Sequence, residues 1–220
     1  MSEFYQEFRP YLRTQTRDTS DYGLSYLSGL LRLETERTLA NISRKTNNSE
    51  QNIYHFMSNS PRSGPGLVNA IQAKVKKRPE LQKGTMLLID ESADEKAGEQ
   101  SAGAGRQHNG RLGKIELSQV GVFLSLATPT LSTWLDGELF IPVAWFRPER
   151  AKQRAKAEIP PERTFQTKPE LAWLMIQRAV ANGLAFEAVG MDTLYGHSQK
   201  LRADLGQAGI EYYADIPTDT

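Results

Sequence analysis

The hydrophobic positions fall into two regimes that meet near residue 85. In the first, apolar residues recur at helical spacing: Leu24, Leu27, Leu30 and Leu31 within 22–33, then Leu39, Ala40 and Ile42 within 36–45. Thr46-Asn47-Asn48 reads as a polar turn. Ser49 is placed to cap a further helix through Ile53, Tyr54, Phe56 and Met57, because its hydroxyl can accept a free backbone N–H of the first turn. Pro61 and the cluster Ser63-Gly64-Pro65-Gly66 should end that helix. Another is predicted over 67–77, with Val68, Ile71 and Val75 on one face. A short helix, a polar turn and a capped helix is the layout of a helix-turn-helix, and also of two helices that merely pack. The basic run Lys74-Val75-Lys76-Lys77-Arg78 reads either as a solvated helix end or as a phosphate contact.

In the second regime short apolar runs alternate with turn residues. Thr85-Met86-Leu87-Leu88-Ile89 is a continuous apolar run stopping at Asp90, which predicts a buried strand with a carboxylate at its C-terminal edge. Residues 91–114, rich in glycine, read as a long loop or loose hairpin. Strands are predicted over 114–128 and 133–143, and the charged stretch 147–166 reads as a linker with a helical turn. Thr167-Lys168-Pro169-Glu170 is a capping box with proline inside the first turn, opening a helix that Asn182-Gly183 stops. A strand over 186–191 ends at Asp192, a short helix covers 197–206, and a last strand covers 210–216. A meander of strands followed by alternating helix and strand predicts an α/β sheet of mixed direction. The chain therefore divides into a helical region, 1–84, and a sheet-bearing region, 85–220. Ligands of such sheets collect beyond the strand ends, where Asp90 and Asp192 stand.

Composition narrows the chemistry. A chain of 220 residues that is 39% hydrophobic can bury a real core, as one large domain or two small ones. It contains no cysteine, which rules out disulfides, thiolate metal sites and a cysteine nucleophile, and fits a reducing cytoplasm. No apolar run approaches the roughly 20 residues of a membrane span, and the charged N-terminus lacks the apolar core of a signal peptide. The net charge of +1 conceals an asymmetry of +5 over residues 1–84 and −4 over 85–220. A basic front could meet phosphates and an acidic back could hold cations; the bland alternative is that the charges are simply unevenly spread.

Several stretches resemble the DDE transposases of bacterial insertion sequences, which have a ribonuclease-H-like fold. They are Leu88-Ile89-Asp90-Glu91-Ser92, Gly105 through Gly110 with Gly113-Lys114, Gln119-Val120-Gly121-Val122, Glu138 through Pro142, Phe165 through Glu170, and Asp192-Thr193 with Tyr195-Gly196. Asn52 through Pro61 resembles the end of that family's N-terminal helical region. The resemblance implies a ribonuclease-H-like mixed sheet preceded by an all-α region, and an enzyme that cuts and transfers strands of double-stranded DNA at insertion-sequence ends, in some cases as a homodimer. It implies two Asp and one Glu holding two divalent ions, Mg²⁺ or Mn²⁺, about 4 Å apart. By position, Asp90 is the first acid and Asp192 the second. The third is expected on a helix well downstream, yet Glu211 is the one Glu among the 28 residues after Asp192 and falls in a predicted strand. The expectation is thus of a truncated chain: an active fragment, or a DNA-binding fragment without catalysis that interferes with a full-length transposase. Ala93-Asp94-Glu95-Lys96 is also more acidic than the family's aromatic and basic stretch.

The other candidates are weighed residue by residue. Asp90 and Asp192 would without the family be ordinary strand-ending carboxylates. Arg106 and Lys114 could contact phosphates near the metals or be surface cations of a hairpin, and Lys76, Lys77 and Arg78 are the remaining DNA-contact candidates. Glu91 is expected as a solvated loop residue rather than an auxiliary metal ligand, His108 as an exposed loop residue rather than a proton-transfer group, His55 and His197 as surface or capping residues, and Tyr195 and Trp134 as core or rim packing rather than base-stacking platforms. Ser92 and Ser101 have no matched base, which leaves Ser-His-Asp catalysis without support.

Overall fold

Why the helical periodicity of the first regime gives a packed unit is visible in the computed structural model, which describes residues 2–13, 18–59 and 64–216. By internal contacts the chain divides into residues 1–71 and 72–220, a boundary that falls inside a helix rather than at residue 84. In the first unit, α1 (Ser2–Gln6) precedes α2 (Ser20–Arg32), α3 (Leu39–Thr46) and α4 (Glu50–Asn59). Ile42, Ile53 and Phe56 are buried between these helices, and the buried Tyr5 hydroxyl donates to the Ser20 carbonyl. Gly29 lets α2 approach α3: a Cβ there would lie 2.6 Å from an Ile42 methyl. Thr38 caps α3, and Asn47 ends it in the left-handed region with φ 54°. The turn at 46–48 is therefore as expected. The Pro61 stop lies outside the described residues. Gly64-Pro65-Gly66 is not a break, because it forms the start of α5 (Gly64–Val75). Proline is tolerated there because the first-turn N–H groups have no intrahelical acceptor to lose.

In the second unit, β1 spans Met86–Glu95, β2 Gly105–Asn109, β3 Lys114–Ala127, β4 Ser132–Phe140, β5 Ala188–Met191 and β6 Tyr212–Ala214. Among the described residues these form one sheet ordered β2-β3-β1-β5-β6, with β4 also paired to β3. The hairpin pairs are antiparallel, while β1-β5 and β5-β6 are parallel. A long antiparallel meander leading through helices into two parallel strands is consistent with a ribonuclease-H-like fold. α6 (Ala151–Lys156) lies in the charged segment, α7 (Lys168–Ala181) precedes β5, and α8 (Thr193–Gly196) and α9 (Gln199–Gln207) lie between β5 and β6. The charged segment is anchored by Trp145, buried with Ile141 and Ile159, its indole N–H donating to the Ala104 carbonyl at 2.8 Å.

The period of two along each strand decides which face is covered. Leu87, Ile89, Val120, Val122, Leu124, Leu126, Val189 and Met191 are buried with Leu171, Met175 and Ile176 of α7 and Leu201 and Leu205 of α9. The alternate positions, Leu88, Asp90, Phe123, Ser125 and Trp134, form a second face. There Trp134 is 67% exposed, with its ring 4.8 Å from that of Phe123. Phe123 lies over Gly121 and Gly137, where a Cβ would come within 2.6 Å and 2.9 Å of its ring.

Two strand expectations need correction. β1 does not stop at Asp90 but runs five residues further, and the stretch read as a loop contains β2. Pairing with the long β3, from Asp90↔Phe123 to Glu95↔Ser118, holds Glu-Ser-Ala-Asp-Glu extended although its composition favours a loop.

Candidate active site

The site begins with a register. β1 and β5 pair in parallel from Met86↔Ala188 to Ile89↔Met191, so the next residue on each chain, Asp90 and Asp192, stands beside the other. Ile89 and Met191 point into the covered core, which turns Asp90 to the opposite face with Leu88. Asp192 leaves the strand as the N-cap of α8, its Oδ1 accepting from the backbone N–H of Leu194 at 3.0 Å and of Tyr195 at 3.3 Å. Asp90 Oδ1 accepts from the Glu91 N–H at 2.7 Å. Among the described residues neither Oδ2 has a hydrogen-bond partner. Both side chains are exposed and line one open cleft of about 1110 Å³, together with Leu88, Ser125, Gly190 and Tyr213.

Beneath these acids lies a part-buried polar group. Glu91 is not a solvated loop residue: it alternates to the covered face of β1 and receives Lys168 Nζ at 2.8 Å. Lys168, the first residue of α7, also sits 5.8 Å from the Phe140 ring centre. Tyr195, fully buried as expected of core packing, has a hydroxyl without a well-formed hydrogen bond, as has Glu91 Oε2. Burial first, then the neighbouring Glu91 charge, pushes the Tyr195 hydroxyl far above the usual tyrosine range, so it stays protonated. Further along the covered face, the Asp136 carboxylate is almost wholly buried and meets Arg178 Nε at 2.8 Å, while Arg178 Nη1 reaches Glu138 at 2.7 Å. Burial raises the Asp136 carboxyl above its ordinary value, with the Arg178 hydrogen bond opposing.

The remaining candidates do not converge on the cleft. Arg106 and Lys114 lie on the β2-β3 hairpin, Arg106 donating weakly to the Ile115 carbonyl at 3.5 Å and Lys114 paired with Glu116 at 3.1 Å. Asp90 pairs with Phe123, so Leu117, opposite Arg106, is six residues along β3, roughly 20 Å away at about 3.4 Å per residue. Lys76, Lys77 and Arg78 are exposed just beyond α5, with Lys76 Nζ donating to the Asn182 carbonyl at 3.3 Å, near where the chain enters β5 rather than where it leaves. His55 is exposed, His197 is the C-cap of α8, and His108 is exposed but on β2 rather than in a loop. Ser92 lies exposed on β1 and Ser101 exposed in a turn. Sequence reading missed Lys168, Asp136 and Arg202. The last lines the cleft with no partner for its buried Nε. Its only signal is its place between Leu201 and Leu205, the buried positions of α9.

Two carboxylates with a free oxygen each offer the hard donors that a hard divalent cation takes, and Asp90 and Asp192 fit one on that ground. Among the described residues no group of three Asp, Glu, His or Cys gathers as a metal cluster. No helix of the described residues is long and apolar enough to cross a membrane.

Comparison with known proteins identifies the family. The chain is 29% identical over 161 residues to a probable transposase for insertion sequence element IS701 of Microchaete diplosiphon; the match covers 69% of this chain and 36% of that protein. The chain thus spans about a third of the length of that relative. A family profile described as DDE superfamily endonuclease matches residues 3–220. That match, over nearly the whole chain, shows that the chain belongs to the DDE superfamily endonucleases.

Proposed function

We propose that the protein acts in DNA transposition, with residues 85–220 supplying Asp90 and Asp192 as metal ligands for strand cleavage and transfer at insertion-sequence ends, and the basic helical region, 1–84, meeting DNA. The observation that carries this reading is the Ile89↔Met191 register, which sets both acids at the lip of one cleft. Endonucleases of this superfamily generally use divalent metal ions. Bound at Asp90 and Asp192, Mg²⁺ or Mn²⁺ would supply a Lewis acid for an attacking or leaving oxygen. The chain's own contribution is placement. The β1-β3 ladder fixes Asp90, and the Leu194 and Tyr195 amides orient Asp192 through one oxygen, leaving the other for a ligand.

The test is divalent-metal-dependent cutting of terminal-repeat DNA by the purified chain, alongside Mn²⁺ binding. Asp90→Ala and Asp192→Ala should each abolish cutting and weaken Mn²⁺ binding at least tenfold. Cutting that survives both substitutions overturns the assignment. A second reading, a chain that binds DNA without cutting it and interferes with a full-length transposase, draws on the net charge of +5 over residues 1–84. Steeply salt-sensitive binding with no cleavage in Mg²⁺ or Mn²⁺ would support it.

A further inference from the structure

The cleft that holds Asp90 and Asp192 has a third carboxylate in its wall, Asp215, and one cation among its described lining residues, Arg202. A DNA strand is an anion, and three carboxylates repel it. Any phosphodiester entering here needs fixed positive charge besides whatever the carboxylates bind. Arg202 is placed to give it. The residue is on α9, held between the buried Leu201 and Leu205, and Ser198 caps the helix, its hydroxyl accepting from the Leu201 N–H at 3.2 Å. The next element is pinned as well. Gly196 packs against the Asp215 carbonyl so closely that a Cβ would lie 2.7 Å from it, which fixes the α8 end against the exit of β6. Arg202 shares this wall with Gly196, Asp215 and Ile216.

Its bonding is incomplete. The Arg202 Nε is buried, yet it has no hydrogen-bond partner among the described residues. Nor is any ion pair formed by its guanidinium there, although Asp204, two residues on, is paired with Lys200 at 2.7 Å. With Nε enclosed, the cleft meets Arg202 through the rest of its guanidinium, and a guanidinium fork matches phosphate oxygens better than any other side chain does.

We propose that Arg202 is a DNA-binding residue that grips a backbone phosphate of the strand lying across the Asp90–Asp192 cleft. This rests on the reading of the protein as DNA-acting, and the experiment separates the two. Binding of the full chain to a fluorescein-labelled duplex and to a labelled single strand is followed by anisotropy across a salt series, for wild type, R202M and R202K. R202M keeps the apolar stem and removes the charge. It should bind several-fold more weakly, with the slope of log affinity against log salt reduced by about 0.9, the loss of one phosphate contact on duplex DNA. R202K should keep the slope and recover part of the affinity. In wild-type protein, the ¹⁵N–¹H resonance of Arg202 Nε, assigned by its absence in R202K, should move on adding DNA, and this holds even if R202M does not fold. Wild-type affinity and slope in a folded R202M, or an Nε resonance that stays still with DNA or moves only with inorganic phosphate, overturns the role of Arg202 alone. A wild-type chain that binds neither oligonucleotide overturns the DNA reading and this inference with it.

Discussion

At the scale of single residues, the buried charges make the sharpest predictions. Asp136 pairs with Arg178 at 2.8 Å, at a depth that penalises a carboxylate charge. Removing the cation leaves a buried carboxylate uncompensated, and R178M should lose about 3–5 kcal/mol at neutral pH in a denaturant titration. The sign with pH follows from the raised carboxyl: the folded state holds the proton more tightly than the unfolded one, so stability rises as pH falls through the window above the ordinary Asp value. Without Arg178 the opposing hydrogen bond is gone and the carboxyl rises further, so the deficit of R178M should shrink on acidification, and the double variant D136N/R178M should recover much of it at pH 7. Tyr195 makes the opposite case. Its buried hydroxyl lacks a well-formed partner, so Tyr195→Phe should leave the melting temperature unchanged or raise it, by no more than about 1 kcal/mol of stability. A large loss would show that the hydroxyl is bonded after all. Little of this was legible in the chain itself. Asp136 and Arg178 are 42 positions apart, and nothing local marks them as partners.

Elements were legible where the signal was local. The capping box at Thr167 and Glu170 is present as expected, with Glu170 Oε2 accepting from the Thr167 N–H at 2.8 Å, and that bond holds the Glu170 carboxyl below its usual range. Thr167→Ala should cost about 1 kcal/mol in thermal or chemical unfolding. The stop at Gly183 is equally readable, with φ 70°. Gly183→Ala should destabilise by about 1 kcal/mol, since alanine strains in the left-handed region. What escaped were elements imposed by a partner. The polar end of β1 is a strand because β3 runs beside it, and Gly64-Pro65-Gly66 starts a helix because proline harms only the helix interior. The acid pair lies between these cases. Strand patterns put Asp90 and Asp192 near strand ends, but a periodicity carries no register, and only the pairing of β1 with β5 sets them side by side.

At the scale of the molecule, the second unit has one sheet face under α7 and α9 and another carrying Leu88, Phe123 and Trp134. The three tryptophans report on this, because Trp145 is buried and Trp173 half-buried while Trp134 is largely exposed. W134F should remove most of the acrylamide-quenchable emission, and an unchanged quenching curve would mean that this face is covered in solution. The charge asymmetry of the halves belongs to the same scale. If the protein acts on DNA as proposed, the basic front would approach the polyanion while the acidic cleft would take it only with cations bound.

The early end of β5 beside a β1 that runs on has a mechanical consequence. Asp90 sits in mid-span, braced by a ladder that continues on its β3 flank, whereas Asp192 rides on the first peptide of a one-turn helix. Asp90 is therefore held by more of the backbone than Asp192 is. If a metal binds there as proposed, fitting ions of different radius would fall to α8 rather than to β1.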